Sequence, residues 1–140
     1  MSEIRILCID DNPADIAIMR YALDDQGEEY ELQVLKDGEE ALLFVREHRA
    51  GKYERRPCVI LLDVHLPKQN GLAVLRAIAQ APRLQHIRVL MTSGQAHPTE
   101  LDEIVALGAV YREKPDTLDE YTQFAIETIA LCKQTLSAIA

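Results

Sequence analysis

The chain has no tryptophan, so intrinsic tryptophan fluorescence cannot report on any site in it. It has three cysteines, Cys8, Cys58 and Cys132, an odd number, widely spaced and without a CxxC pair. They are expected as small, partly buried thiols in a reducing cytoplasm. The histidines, His48, His65, His86 and His97, do not cluster either, so no His/Cys zinc site is expected. Positive charge is scarce: 15 basic residues against 23 acidic ones give a net charge of −8. Binding of DNA or RNA through phosphates needs a basic face, so no nucleic acid partner is expected. An anionic membrane surface is disfavoured for the same reason. No apolar stretch approaches the roughly 20 residues of a membrane span. The opening Met-Ser-Glu-Ile-Arg lacks a basic region followed by an apolar one, so no signal peptide is expected and the location is read as cytoplasmic. No GxGxxG or GxxxxGK[ST] loop follows the first apolar run, which removes the common nucleotide-binding readings.

What is present is a regular alternation. The length of 140 residues suits one domain, and 48% hydrophobic residues can bury a real core. Short runs of Ile, Val and Leu at 4–9, 32–35, 59–62, 87–91 and 109–111 read as buried parallel strands. Amphipathic stretches at 13–26, 38–50, 71–81, 98–107 and 118–138 read as helices. Asn12-Pro13 caps the first of these, and Asp37-x-x-Glu40 and Thr117-x-x-Glu120 have the form of capping boxes. Asn70-Gly71 starts the third helix. Five strands alternating with five helices make an open, doubly wound α/β domain over 1–140, and right-handed crossovers put every strand end on one edge. No repeat, low-complexity segment or linker interrupts it.

Two segments stand apart. Residues 48–57 form a basic connector in an acidic chain, read as a solvated loop or as a contact for an acidic partner. The last helix places Leu118, Tyr121, Phe124, Ala125, Thr128, Leu131, Cys132, Leu136 and Ile139 on one side, yet also carries Ile126, Ile129 and Ala130 away from that stripe. One helix on one sheet needs a single apolar face, so the surplus points to a subunit interface, with Tyr121, Phe124 and Ile129 as its candidate residues.

The polar residues at the strand ends carry the chemistry. Asp10 and Asp11 follow the first apolar run, Asp63 ends the third, Thr92-Ser93 follows the fourth and Lys114 follows the fifth. Open α/β sheets bind ligands at this edge. Three carboxylates at ~4 Å repel by roughly 4 kcal/mol per pair at intermediate dielectric, so a proton or a cation must relieve them. A hard divalent ion with oxygen ligands is the natural answer, with Mg²⁺ the expected cofactor. An aspartate can serve as a phosphoryl nucleophile, and an ammonium and a hydroxyl suit phosphoryl oxygens. Taken singly, an Asp-Asp pair reads as a helix cap, Lys-Pro as uninformative and Thr-Ser-Gly as an ordinary loop. Their joint occurrence, in order, is what points to a site.

Asp10-Asp11, Asp63-x-x-x-Pro67-x-x-x-Gly71, Thr92-Ser93-Gly94 and Lys114-Pro115 together resemble the receiver domain of two-component response regulators, over essentially the whole chain. Asp37-Gly-Glu-Glu-Ala-Leu42 is similar to that family's second-helix opening. The resemblance implies a flavodoxin-like sheet in order 2-1-3-4-5 and Asp63 as phosphoacceptor for a sensor histidine kinase. It also implies Mg²⁺ held by Asp10, Asp11, Asp63 and the backbone carbonyl of His65, and Thr92 and Lys114 gripping the phosphoryl group. Tyr111 would be the aromatic switch residue, or simply a half-buried strand tyrosine. The face of the fourth helix, fifth strand and fifth helix would carry the output and a homodimer contact. The long spacing from Asp11 to Asp63, and Ser93 where alanine is more usual, depart from the family pattern but remove no needed group. Leu66-Pro67-Lys68, the connector and Lys114–Tyr121 resemble stand-alone regulators that partner bacteriophytochromes, which implies a phosphorylated signalling module without an output domain. Such a module catalyses only its own phosphorylation and dephosphorylation. Against this stand two alternatives. A haloacid-dehalogenase-type phosphatase wants a second Asp where His65 stands, and a receiver-like module that is never phosphorylated would not need the complete set.

Overall fold

Each strand run is too short to close a helical face and is bounded by turn chemistry, so the chain alternates elements quickly. The computed structural model describes residues 3–49 and 56–139. Its strands are β1 (Arg5–Ile9), β2 (Glu31–Leu35), β3 (Val59–Asp63), β4 (Arg88–Ser93) and β5 (Val110–Glu113). The helices between and after them are α1 (Pro13–Asp24), α2 (Gly38–Arg49), α3 (Gly71–Ala79), α4 (Pro98–Ala106) and α5 (Leu118–Ile139), with a 3₁₀ turn at Pro82–Leu84 before β4. The strands pair in parallel in the order β2-β1-β3-β4-β5, the flavodoxin-like arrangement expected. No helix among the described residues is long and apolar enough to cross a membrane. Residues 50–55 of the basic connector lie outside the described residues; beyond them, Arg56 donates to the Arg83 carbonyl at 3.0 Å.

β3 is the central strand and all five of its residues are buried. Alternation along it divides the core. Ile60 and Leu62 join Phe44, Val45, Leu75, Ile78 and Ile104 of α2, α3 and α4. Val59 and Leu61 join Met19, Leu23, Phe124, Ala125 and Cys132 of α1 and α5. Each such large side chain contributes about 1.5–3 kcal/mol when removed from water. β5 runs to Glu113, past the apolar run that ends at Tyr111, because an edge strand leaves Arg112 and Glu113 exposed and they carry no hydrophobic signal.

The helix starts follow their caps. The Asn12 side chain accepts from the amides of Ala14 and Asp15, and that of Asn70 from the amide of Leu72 at 2.7 Å. Thr117 Oγ1 accepts from the Glu120 amide at 3.1 Å. Asp37 likewise caps Glu40, but Glu40 reaches back one residue further than a capping box requires, to the amide of Lys36.

Two expectations need correction. Tyr121, Phe124 and Ile129 are buried inside the chain's own core rather than offered to a second subunit. α5 packs against α1 as well as against the sheet, so its buried face is wider than one sheet requires; the apolar residues it leaves exposed include Leu118, Ile126 and Ala130. The cysteines also differ from the expectation of three thiols. Cys58, beside the start of β3, and Cys132 on α5 are disulfide-bonded, with Cα atoms 4.7 Å apart, and only Cys8 is free. Sequence spacing could not show this, because the partners are 74 residues apart and meet only through the packing of α5. By loop-closure entropy such a bond adds roughly 4 kcal/mol. Alkylation in denaturant without reductant should therefore label one thiol, Cys8, and three after reduction, with a lower melting temperature for the reduced protein. Three reactive thiols before reduction would contradict the bond.

Candidate functional site

Parallel register carries the functional residues to one edge. Ile9 pairs with Leu62, Asp63 with Thr92, and Ser93 with Glu113, so the residues that end or follow β1, β3, β4 and β5 emerge side by side. The structure brings Asp10, Asp11, Asp63, Thr92 and Lys114 together as the sequence predicts. Asp10 and Asp63 are buried at 8% and 7% exposure, while Asp11 is exposed.

Each buried carboxylate is held by two contacts. Asp63 Oδ1 accepts the His65 amide at 3.0 Å, and its Oδ2 lies 3.2 Å from Lys114 Nζ. Asp10 Oδ1 accepts the Asn12 amide at 2.9 Å, and its Oδ2 also lies 3.2 Å from Lys114 Nζ. Burial pushes the Asp10 carboxyl above the usual carboxylate range; the Asn12 bond and the Lys114 charge oppose this, and Asp63 adds to it. Burial lowers the affinity of Lys114 for its proton, but the bond to Asp15 and the charges of Asp63 and Asp10 outweigh it, so the ammonium is held above its ordinary range. Beneath the site, burial and the nearby Asp10 push the Cys8 thiol up to about 12, which leaves it neutral and inert.

The cluster fits a hard cation. Asp10, Asp11 and Asp63 can each offer one carboxylate oxygen, and these lie within 4.8 Å of one another. All three are oxygen donors, the set that Mg²⁺ and similar ions take, and a cation would relieve the like charges that one ammonium now balances. Thr92 is buried beside Asp63, and its carbonyl accepts the Val64 amide at 2.9 Å. Tyr111 is half-buried, with its hydroxyl donating to the Ser93 carbonyl at 3.3 Å, an oxygen that also accepts the Lys114 amide at 2.9 Å. The ring Nε2 of His65 lies 3.3 Å from the Gln95 carbonyl, away from the carboxylates.

The loop after β3 closes tightly at its end. The Gly71 amide donates to the Val64 carbonyl at 2.8 Å, and a Cβ at Gly71 would run into the carbonyl oxygen of Asp63. Lys68, in the left-handed region at φ 69°, turns its ammonium to Asp37 at 3.4 Å and Glu39 at 3.6 Å.

One member of the site was missed in the sequence. Asp15 contacts Lys114 Nζ at 2.8 Å, closer than either Asp10 or Asp63. It reads there as an ordinary acid in a first helical turn. The available signal is the Asn12-Pro13 cap, which starts α1 directly after β1 and so keeps its first turn at the strand edge.

The response regulator receiver domain family model matches residues 6–123. The response regulator Rcp1 of Synechocystis sp. is 39% identical over 88 residues, which is 61% of this chain and 58% of that protein; the matched part is less than two-thirds of that relative. The solved Mn²⁺-bound form of Rcp1 superposes with a TM-score of 0.78 at 29% identity, covering 91% of this chain and 94% of that one. The solved phosphorylated cyanobacterial phytochrome response regulator RcpA gives a TM-score of 0.77 at 30% identity, covering 87% and 88%.

Gly71→Ala should lower the stability of the protein in urea by about 1–3 kcal/mol, because the added methyl displaces the Asp63 backbone. Gly94→Ala, with open space around the added methyl, is the control and should change it far less. Equal midpoints for both variants would contradict the close approach.

Proposed function

Because the chain belongs to the response regulator receiver domain family, we propose that it is a single-domain response regulator that takes a phosphoryl group onto Asp63 from the phosphohistidine of a sensor histidine kinase. The observation that carries this reading is Asp63 itself. It is a buried carboxylate at the end of the central strand, a member of a three-acid set that can take a cation, with the Lys114 ammonium 3.2 Å away and buried Thr92 beside it in the sheet.

Asp10, Asp11 and Asp63 would hold Mg²⁺, with the backbone carbonyl of His65 as a further ligand. When bound, the ion neutralises charge on the carboxylates and on the phosphoryl oxygens. In the transfer, an Asp63 carboxylate oxygen forms the new bond to phosphorus as the P–N bond of the donor phosphohistidine breaks. The electron pair stays with the departing imidazole. Lys114 and the Thr92 hydroxyl take phosphoryl oxygens, acting on charge as it develops rather than as proton donors. The dianion then biases a two-state element. Thr92 is drawn toward the phosphoryl group, Tyr111 exchanges its bond to the Ser93 carbonyl for an inward position, and the face of α4, β5 and α5 changes its contacts.

The chain acts in the cytoplasm and catalyses only its own phosphorylation and dephosphorylation. The similarity to the cyanobacterial phytochrome response regulator RcpA supports a bacteriophytochrome as the donor kinase. A homodimer through the α4–β5–α5 face belongs to the same reading. With Tyr121, Phe124 and Ile129 inside the protomer, that face offers the exposed Val105 and the bidentate Arg112–Glu127 pair to a second copy.

Incubation with acetyl phosphate and Mg²⁺ should add one phosphoryl group, stable in acid and labile in base, that maps to Asp63 by mass spectrometry. Asp63→Asn and removal of Mg²⁺ should each abolish it, and the phosphorylated protein should sediment as a dimer. An unmodified wild-type chain, or equal labelling of Asp63→Asn, would overturn the reading.

A further inference from the structure

Lys114 is held most closely by a residue outside the carboxylates that the proposed chemistry uses. Its Nζ lies 2.8 Å from Asp15 Oδ2, against 3.2 Å from both Asp10 Oδ2 and Asp63 Oδ2. The shorter distance is in the range of a strong charge-assisted hydrogen bond, whereas 3.2 Å lies beyond it. The backbone amide of Asp15 bonds to the Asn12 side chain at the start of α1, and its carboxylate lies near Tyr121 in the first turn of α5, where, after burial, it helps to push the tyrosine hydroxyl up to about 12. Asp10, Asp15, Asp63, Thr92, Lys114 and Tyr121 line a common cavity of about 30 Å³, room for a water-sized group beside the ammonium.

We infer that Asp15 is a positioning residue that draws the Lys114 ammonium away from Asp10 and Asp63, and so keeps those two carboxylates open to a divalent cation. The physical reason is competition for charge. An ammonium and a divalent ion both seek the same carboxylate oxygens, and an ammonium settled between Asp10 and Asp63 would raise the cost of admitting the ion. Asp15, held at the start of α1 through the Asn12 cap, supplies a third acceptor, and it is the nearest one to that ammonium. The same geometry leaves Lys114 within reach of an incoming phosphoryl oxygen while its resting partner sits on α1. Filling the site therefore loosens a tie between the end of β5 and α1. This inference rests on the metal and phosphoacceptor reading of the site.

The test is a double-mutant cycle read by calorimetric Mg²⁺ titration, which does not depend on phosphorylation. Asp15→Asn keeps shape and removes the charge, and a thermal melt confirms that it folds. It should weaken Mg²⁺ binding roughly three- to tenfold, the range of coupling between contacting charged groups. Lys114→Gln should bind Mg²⁺ more tightly than wild type. In the Lys114→Gln background, Asp15→Asn should have almost no further effect, because Asp15 acts through the ammonium. An equal loss in both backgrounds would show that Asp15 attracts the cation directly and would overturn the inference. So would an unchanged titration for Asp15→Asn in a wild-type protein that binds Mg²⁺ and is phosphorylated. A wild-type chain that takes up no Mg²⁺ would instead remove the metal reading, and this inference with it.

Discussion

Lys114 leaves the end of an edge strand and reaches Asp15, Asp10 and Asp63 within 3.2 Å. Much of the surrounding structure is arranged so that this shared ammonium is possible. The parallel order β2-β1-β3-β4-β5 puts the ends of β1 and β3 next to each other and β5 two strands beyond β3, a gap that the lysine and aspartate side chains close together. Burial of β3 on both faces leaves Asp63 in a low-dielectric position where an unpaired carboxylate would cost several kcal/mol. The ammonium offsets part of that cost but leaves three acids on one cation. The balance is incomplete by one positive charge or more, and that deficit makes the site responsive to a divalent ion.

The loops serve the same end. Gly71 lets the chain after β3 fold back against the Asp63 carbonyl, which brings the His65 amide onto Asp63 Oδ1. Asn12 caps α1 and also gives its backbone amide to Asp10 Oδ1, so one residue starts the helix and orients an acid. Ser93 offers its carbonyl to both the Lys114 amide and the Tyr111 hydroxyl, which joins the cationic residue and the proposed switch residue to one peptide of β4.

The fold and the central residues were legible because both rest on short-range patterns. Five apolar runs, each followed by a polar cluster, specify strand and edge together, so the pattern alone places Asp10, Asp11, Asp63, Thr92 and Lys114 at one edge. What was not legible depends on long-range packing. The surplus apolar residues of α5 suggest an outer face, yet Ile129 packs within the chain because α5 rests against α1. The Cys58–Cys132 bond joins residues whose proximity arises only from that packing. Asp15 looked like an ordinary first-turn acid, since nothing local marks the lysine it meets from 99 positions away. The far end of β5 was missed for a simpler reason, as exposed Arg112 and Glu113 have no apolar signature.

On this reading Asp63, the cation set and Lys114 act together as one receptor for a phosphoryl group. Beryllofluoride, a tetrahedral mimic of an aspartyl phosphate, tests it without a kinase. In ¹⁵N-labelled protein with Mg²⁺, the amide signals of Thr92, Tyr111, Lys114 and Asp15 should move together as the mimic is added. The shifts should vanish in Asp63→Asn or when Mg²⁺ is chelated. An unchanged spectrum in the wild type, or the same shifts in Asp63→Asn, would contradict the account.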